Sequence, residues 1–104
     1  MLDSALEAIS FAKGKTRKSL ESDRMLVLSL VKSIEIIGEA ASKVTDEFRL
    51  NYEQIPWISI INMRNRLIHA YFDIDLDILW NTVIEDLPPL IDKLETLFKL
   101  IKTP

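Results

Sequence analysis

Ser22–Val44 reads SDRMLVLSLVKSIEIIGEAASKV, and its apolar residues decide the fold. Val27, Leu30, Val31, Ile34, Ile37, Gly38, Ala41 and Val44 recur at the three- and four-residue intervals that line up one face of an α-helix. With Ser22 or Asp23 at its start, the stretch is expected to form the long helix around which the core is built. Gly38 stands inside it. A glycine costs a helix interior up to ~1 kcal/mol relative to alanine, so the close approach of another helix is the expected compensation.

Upstream, Ser4-Ala5-Leu6-Glu7 has the spacing of a capping box and opens a short helix that ends near Gly14. Downstream, Thr45 to Gln54 reads as a short irregular connection to Pro56, whose fixed φ suits a first helical turn. The helix that follows is expected to run to Tyr71 or Phe72. Asp73 or Asp75 can cap a last helix that turns Ile78, Leu79, Val83, Leu87, Leu90, Leu94, Leu97 and Ile101 to the core. Pro88 and Pro89 interrupt that pattern, which leaves either one kinked helix or two shorter ones. The fold class is therefore all-α, an antiparallel bundle of four to five helices, with residues 1–104 forming one domain.

Apolar residues make up 48% of the 104, more than so small a body can hide, and the excess points to a subunit interface. No apolar run is long enough to span a membrane and no signal-peptide pattern opens the chain, so a cytoplasmic protein is expected. With 0 cysteines there are no disulfides and no thiolate metal sites. A net charge of −3 argues against a broad basic surface that coats nucleic acid, so any RNA contact must be local. Lys13, Lys15, Arg17 and Lys18 form a basic run between the first two helical patterns, read as a solvated loop, with RNA or an acidic partner as the other option.

The chemistry concentrates in Arg64-Asn65-Arg66-Leu67-Ile68-His69-Ala70-Tyr71, which holds the 1 histidine of the chain. An imidazole titrating near ~6.5 can take a proton from a ribose 2′-hydroxyl or give one to a leaving 5′-oxygen. Arg64 keeps its charge and offers a planar fork to phosphate oxygens; together the two need no metal and no cofactor. Asn65 could bind the scissile phosphate or orient His69, and Arg66 could add a backbone phosphate contact. On a straight helix Arg64 and His69 point roughly 140° apart, so either the backbone bends near His69 or two copies face each other and share one site. Glu39 reads as an exposed or capping charge, or else as the carboxylate that holds an active-site arginine. Asp73, Asp75 and Asp77 suggest a metal loop, but Ile78 and Ile84 stand where a calcium loop needs glycine and glutamate, so helix capping is preferred.

Arg64, His69 and Tyr71 form the R-x4-H-x-Y pattern, and the chain resembles the HepT toxins of the HEPN superfamily of small helical ribonucleases. Ile36-Ile37-Gly38-Glu39-Ala40-Ala41 is similar to the Gly-Glu segment of that family's long helix, and Ile55-Pro56-Trp57 to the opening of its motif helix. Asp75 to Trp80 and Asp86-Leu87-Pro88 follow the same pattern. The resemblance implies a homodimer with a composite cleft, metal-independent RNA cleavage and 2′,3′-cyclic phosphate products. It also implies a MntA-like nucleotidyltransferase antitoxin that uses ATP to place AMP on Tyr71, silencing the site. The alternative is a non-catalytic helical subunit that binds a nucleotide or positions such a nucleotidyltransferase.

Overall fold

Asp23 starts the central helix: its carboxylate accepts the Leu26 amide at 3.0 Å, and α3 (Arg24–Ser42) follows for 19 residues. In this computed structural model residues 1–70 and 73–102 are described, with only the backbone of 68–70 and 102. Four longer helices carry an all-α bundle: α1 (Leu2–Ala12), α3, α5 (Trp57–Leu67) and α7 (Leu87–Lys102). Short helices α2 (Ser19–Ser22), α4 (Asp46–Asn51) and α6 (Leu76–Asn81) link them. Helix α3 packs on α1 and on α5, and α1 also meets α7. Leu30, Ile34 and Ile37 of α3, Ile60 and Leu67 of α5, and Leu79, Val83 and Leu87 further on are sealed in the core.

Several local expectations change. Helix α1 begins at Leu2, because the Met1 carbonyl already accepts the Ala5 amide at 3.1 Å; Ser4 is inside the first turn and cannot act as its cap. Ala5, Ala8 and Ala12 are its buried residues, small enough for α1 to lie close to its neighbours. Thr45–Gln54 is not irregular throughout. The Thr45 hydroxyl accepts the Phe48 amide at 3.2 Å, and Asp46 and Glu47 favour the positive end of α4. Arg49 of α4 then donates to the Ala41 and Ser42 carbonyls at 3.0 and 3.2 Å, satisfying the last turn of α3.

Pro56 opens α5 as expected, its carbonyl accepting the Ile60 amide at 3.0 Å. Helix α5 nevertheless stops at Leu67 rather than at Tyr71 or Phe72. The Leu67 carbonyl, which a continuing helix would offer four residues on, instead accepts the Asp75 amide at 2.7 Å. Beyond it β1 (Ile68–Ala70) pairs antiparallel with β2 (Asp73–Ile74), with Ile68 opposite Ile74; both are β-branched and suited to a strand. Asp75 then caps α6, its side chain accepting the Ile78 amide at 3.0 Å, while Asp73 belongs to β2. Asp77 binds Arg17 at 2.7 Å, fastening the loop after α1 to α6, and Lys13, Lys15 and Lys18 stay exposed in that loop.

The two prolines do not split the last helix. A π turn (Thr82–Asp86) joins α6 to α7, with the Leu87 amide bonded to the Thr82 carbonyl, so one helical path runs across residues 76–102. Pro88 and Pro89 lack the donors that regular α spacing would need in the first turn of α7, and the wider turn upstream shifts the carbonyls they would strike. Of the expected core positions, Val44 and Ile78 are half-buried and Ile101 is exposed. Among the described residues no helix is long and apolar enough to cross a membrane.

Gly38 meets α5 as its sequence position suggests. A Cβ built there would lie 3.4 Å from the Ile60 carbonyl oxygen and 3.6 Å from that of Ile61. One methyl fits at ordinary contact; a larger side chain does not. Gly38→Ala should therefore melt within about 1 kcal/mol of the native chain, because helix propensity offsets the tight contact. Gly38→Leu should lose about 1–3 kcal/mol in thermal unfolding as α5 is pushed away. Equal stability of the two variants would show that the contact does not matter.

Candidate active site

Helices α3 and α5 run antiparallel past Gly38, and the register there places the charged groups. Gly38 faces Ile60 and Ile61, so one turn earlier on α3 comes opposite one turn later on α5. These positions are Glu35 and Arg64, and Arg64 Nε donates to Glu35 Oε1 at 3.2 Å. The side chains are 53% exposed for Arg64 and 33% for Glu35, so the pair is worth no more than about 1 kcal/mol to the fold. Its value lies in geometry. Glu35 engages the guanidinium through Nε, which leaves the two terminal nitrogens for another anion.

An open groove of about 420 Å³ lies over this contact, lined by Glu35, Gly38, Glu39, Ile61, Arg64 and Asn65. Gly38 gives it a floor without a side chain. Ser42, also at its edge, donates its hydroxyl to the Glu39 carbonyl at 2.6 Å. Glu39 pairs along its own helix with Lys43 at 3.3 Å, the exposed-charge option for this residue. The carboxylate that holds the arginine is Glu35, which sequence reasoning passed over. Its signal was the antiparallel register through Gly38, legible only once the partner helix is known.

Arg64 and Asn65 thus share one groove. Arg66 does not join them: two residues on, it is turned about 160° around α5, and its Nη2 donates to the Ser59 carbonyl at 3.3 Å. It lines a second groove of about 260 Å³ with Pro56, Met63, Glu85, Asp86 and Pro89. Glu85 and Asp86 make that groove a poor place for RNA phosphate. His69 sits in β1, beyond the end of α5, so the angle imposed by a straight helix does not separate it from Arg64. The bend considered from the sequence is present; the His69 side chain and all of Tyr71 lie outside the described residues.

Among the described residues no group of three or more histidine, cysteine, aspartate or glutamate side chains is gathered as a metal site. Asp73, Asp75 and Asp77 are instead distributed among a strand, a helix cap and an ion pair.

Comparison with known proteins gives a consistent result. The family model described as Ribonuclease HepT-like matches residues 1–97. The chain is similar to the protein named Probable ribonuclease HepT from Thermococcus cleftensis, 37% identical over 102 residues that cover 94% of this chain and 93% of the relative. It is also similar to a Methanocaldococcus jannaschii protein carrying an RNase name, at 35% identity over 91% of this chain and 87% of that one. A third relative, from Caldanaerobacter subterraneus and also named as an RNase, is 38% identical over 79% of this chain and 73% of its own length. No solved structure gives a significant match.

Proposed function

Because the chain belongs to the Ribonuclease HepT-like family, we propose that it is a metal-independent endoribonuclease, the toxin of a toxin–antitoxin pair, built as a single HEPN-type domain that works in the cytoplasm. The observation that carries the reading is Arg64, held through Nε by Glu35 in the lining of an open groove, on the helix that leads into His69. In the proposed reaction His69 takes the proton from a ribose 2′-hydroxyl. The freed oxygen attacks the adjacent phosphorus, and the bond to the 5′-oxygen breaks as that oxygen takes up a proton. Arg64 holds the phosphoryl oxygens while charge builds on them, and Asn65 stands beside it to bind phosphate or steady the imidazole. The products are a 2′,3′-cyclic phosphate and a 5′-hydroxyl.

A homodimer completes this reading. The Cα envelope is 48 × 28 × 17 Å, a slab about two helices thick with little depth in which to hide apolar side chains. Met25, Leu28 and Ile36 are 80%, 47% and 42% exposed and fall within roughly 80° of arc on α3, beside Glu39 at the groove's edge. Ile58 on α5 is 65% exposed on the face that also carries Asn65. A second copy covering these residues would bring two motif segments to one cleft, in the isologous arrangement of a two-fold dimer. The antitoxin in this reading is a MntA-like nucleotidyltransferase, and ATP is its substrate rather than a cofactor of this chain.

One preparation tests the proposal. The isolated chain should be a dimer by light scattering at micromolar concentration, indifferent to reducing agent, and should cut single-stranded RNA in EDTA to leave cyclic phosphate ends. Dependence on a divalent metal, or a monomer that cleaves at full rate, would contradict the site as described. Binding of a nucleotide with no cleavage at all would favour a non-catalytic subunit.

A further inference from the structure

We infer that Glu35 is a positioning residue for cleavage: its carboxylate fixes Arg64 through Nε, so that the guanidinium meets the scissile phosphate with its two terminal nitrogens. The inference rests on the ribonuclease reading above. A guanidinium has two edges that can grip an oxyanion in two-pronged fashion, the side edge formed by Nε with one terminal nitrogen and the end edge formed by both terminal nitrogens. Glu35 Oε1 accepts from Nε at 3.2 Å and so takes the side edge. The end edge is left for another anion, and Arg64 itself lines the groove together with Glu35, Gly38 and Asn65.

The surroundings favour orientation over stability as the role of this contact. Both partners are partly open to water, where an ion pair adds little to folding. Glu35 is nevertheless held at one place by α3, because Gly38, one turn along, is in contact with the α5 backbone at Ile60 and Ile61. The base of the carboxylate is therefore fixed relative to the base of the arginine. A flexible side chain with several rotamers becomes a directed one, which matters because a misplacement of about 1 Å can cost two orders of magnitude in rate. The other carboxylate of the groove is engaged with Lys43 and does not compete for Arg64.

Two conservative changes separate geometry from charge. Glu35→Gln keeps an oxygen at the same reach and removes the charge, whereas Glu35→Asp keeps the charge and withdraws it by one C–C bond, about 1.5 Å. With the full-length chain and a single-stranded RNA substrate, Glu35→Gln should hold kcat within about threefold and lower KM, because a negative charge beside the phosphate is gone. Glu35→Asp and Glu35→Ala should each lose at least about tenfold in kcat while melting like the native chain. The ¹⁵N–¹H signal of Arg64 Nε should move in both of these and stay near its native position in Glu35→Gln. Native kcat in Glu35→Ala, or a Gln variant as damaged as the Asp variant, overturns the positioning role while leaving the ribonuclease intact. A native chain that cleaves no RNA overturns the ribonuclease reading itself, and the catalytic role of Glu35 with it.

Discussion

His69→Ala should lower RNA cleavage by roughly 10²–10⁴-fold, the usual contribution of a positioned general base or acid. The native chain and the variant would be compared on the same single-stranded RNA in EDTA, with circular dichroism and thermal melting to show that the fold is retained. Arg64→Lys should lose about 10²-fold or more although the charge is kept. Lysine carries one ammonium where arginine carries a plane of donors, so it cannot hold Glu35 on one side and offer a two-pronged grip to phosphate on the other. A His69 variant at native rate would remove the histidine from the mechanism. An Arg64→Lys variant at native rate would leave it there but reduce the arginine to a point charge.

Incubation with the cognate nucleotidyltransferase, ATP and magnesium should silence cleavage almost completely, in step with AMP appearing on Tyr71. The phenol oxygen would attack the α-phosphorus of ATP, losing its proton as the bond to pyrophosphate breaks, and the new phosphodiester would bring a negative charge two residues from His69. That charge competes with RNA for the arginine and repels the RNA backbone. Tyr71→Phe keeps the ring and removes the accepting oxygen; it should cleave RNA as the native chain does and remain active after the same incubation. Mass spectrometry locates the label. A label on another residue, or a Phe variant that is still silenced by AMP transfer, would assign the control point elsewhere.

The long-range plan of the fold was legible because burial repeats along helices. The stripe from Val27 to Ala41, the contact at Gly38 and the helix opening at Pro56 all follow from side-chain size and backbone preference, and the structure has each of them. The family pattern drew attention to Arg64 and the reading of the motif's residues to Asn65, and the two do share a groove. Local endings were harder. The stop at Leu67 depends on a hydrogen bond to Asp75, a partner that no short window around the motif contains. The same holds for Glu35, whose partner lies 29 residues away, whereas Ser4 is displaced as a cap by a helix that already starts from the Met1 carbonyl. Arg66 illustrates another difficulty: adjacent charges in a motif look equivalent as letters, yet two steps along a helix turn them to different grooves.

The bond between the Leu67 carbonyl and the Asp75 amide, 2.7 Å long, also bears on how the motif can vary in length. It joins the end of α5 to the residue after β2, so that Arg64 belongs to a helix while His69 belongs to a strand beyond it. The x4 spacing therefore counts residues across a boundary and not turns of one helix. Adding or removing a residue within α5 before Arg64 would rotate the arginine by about 100° away from Glu35. The same change between Leu67 and Asp75 would leave that pair in register, its cost falling instead on the β1–β2 pairing and on the entropy of chain closure. A change in the number of residues between arginine and histidine thus leaves the arginine in register with Glu35 when it falls after the helix has ended.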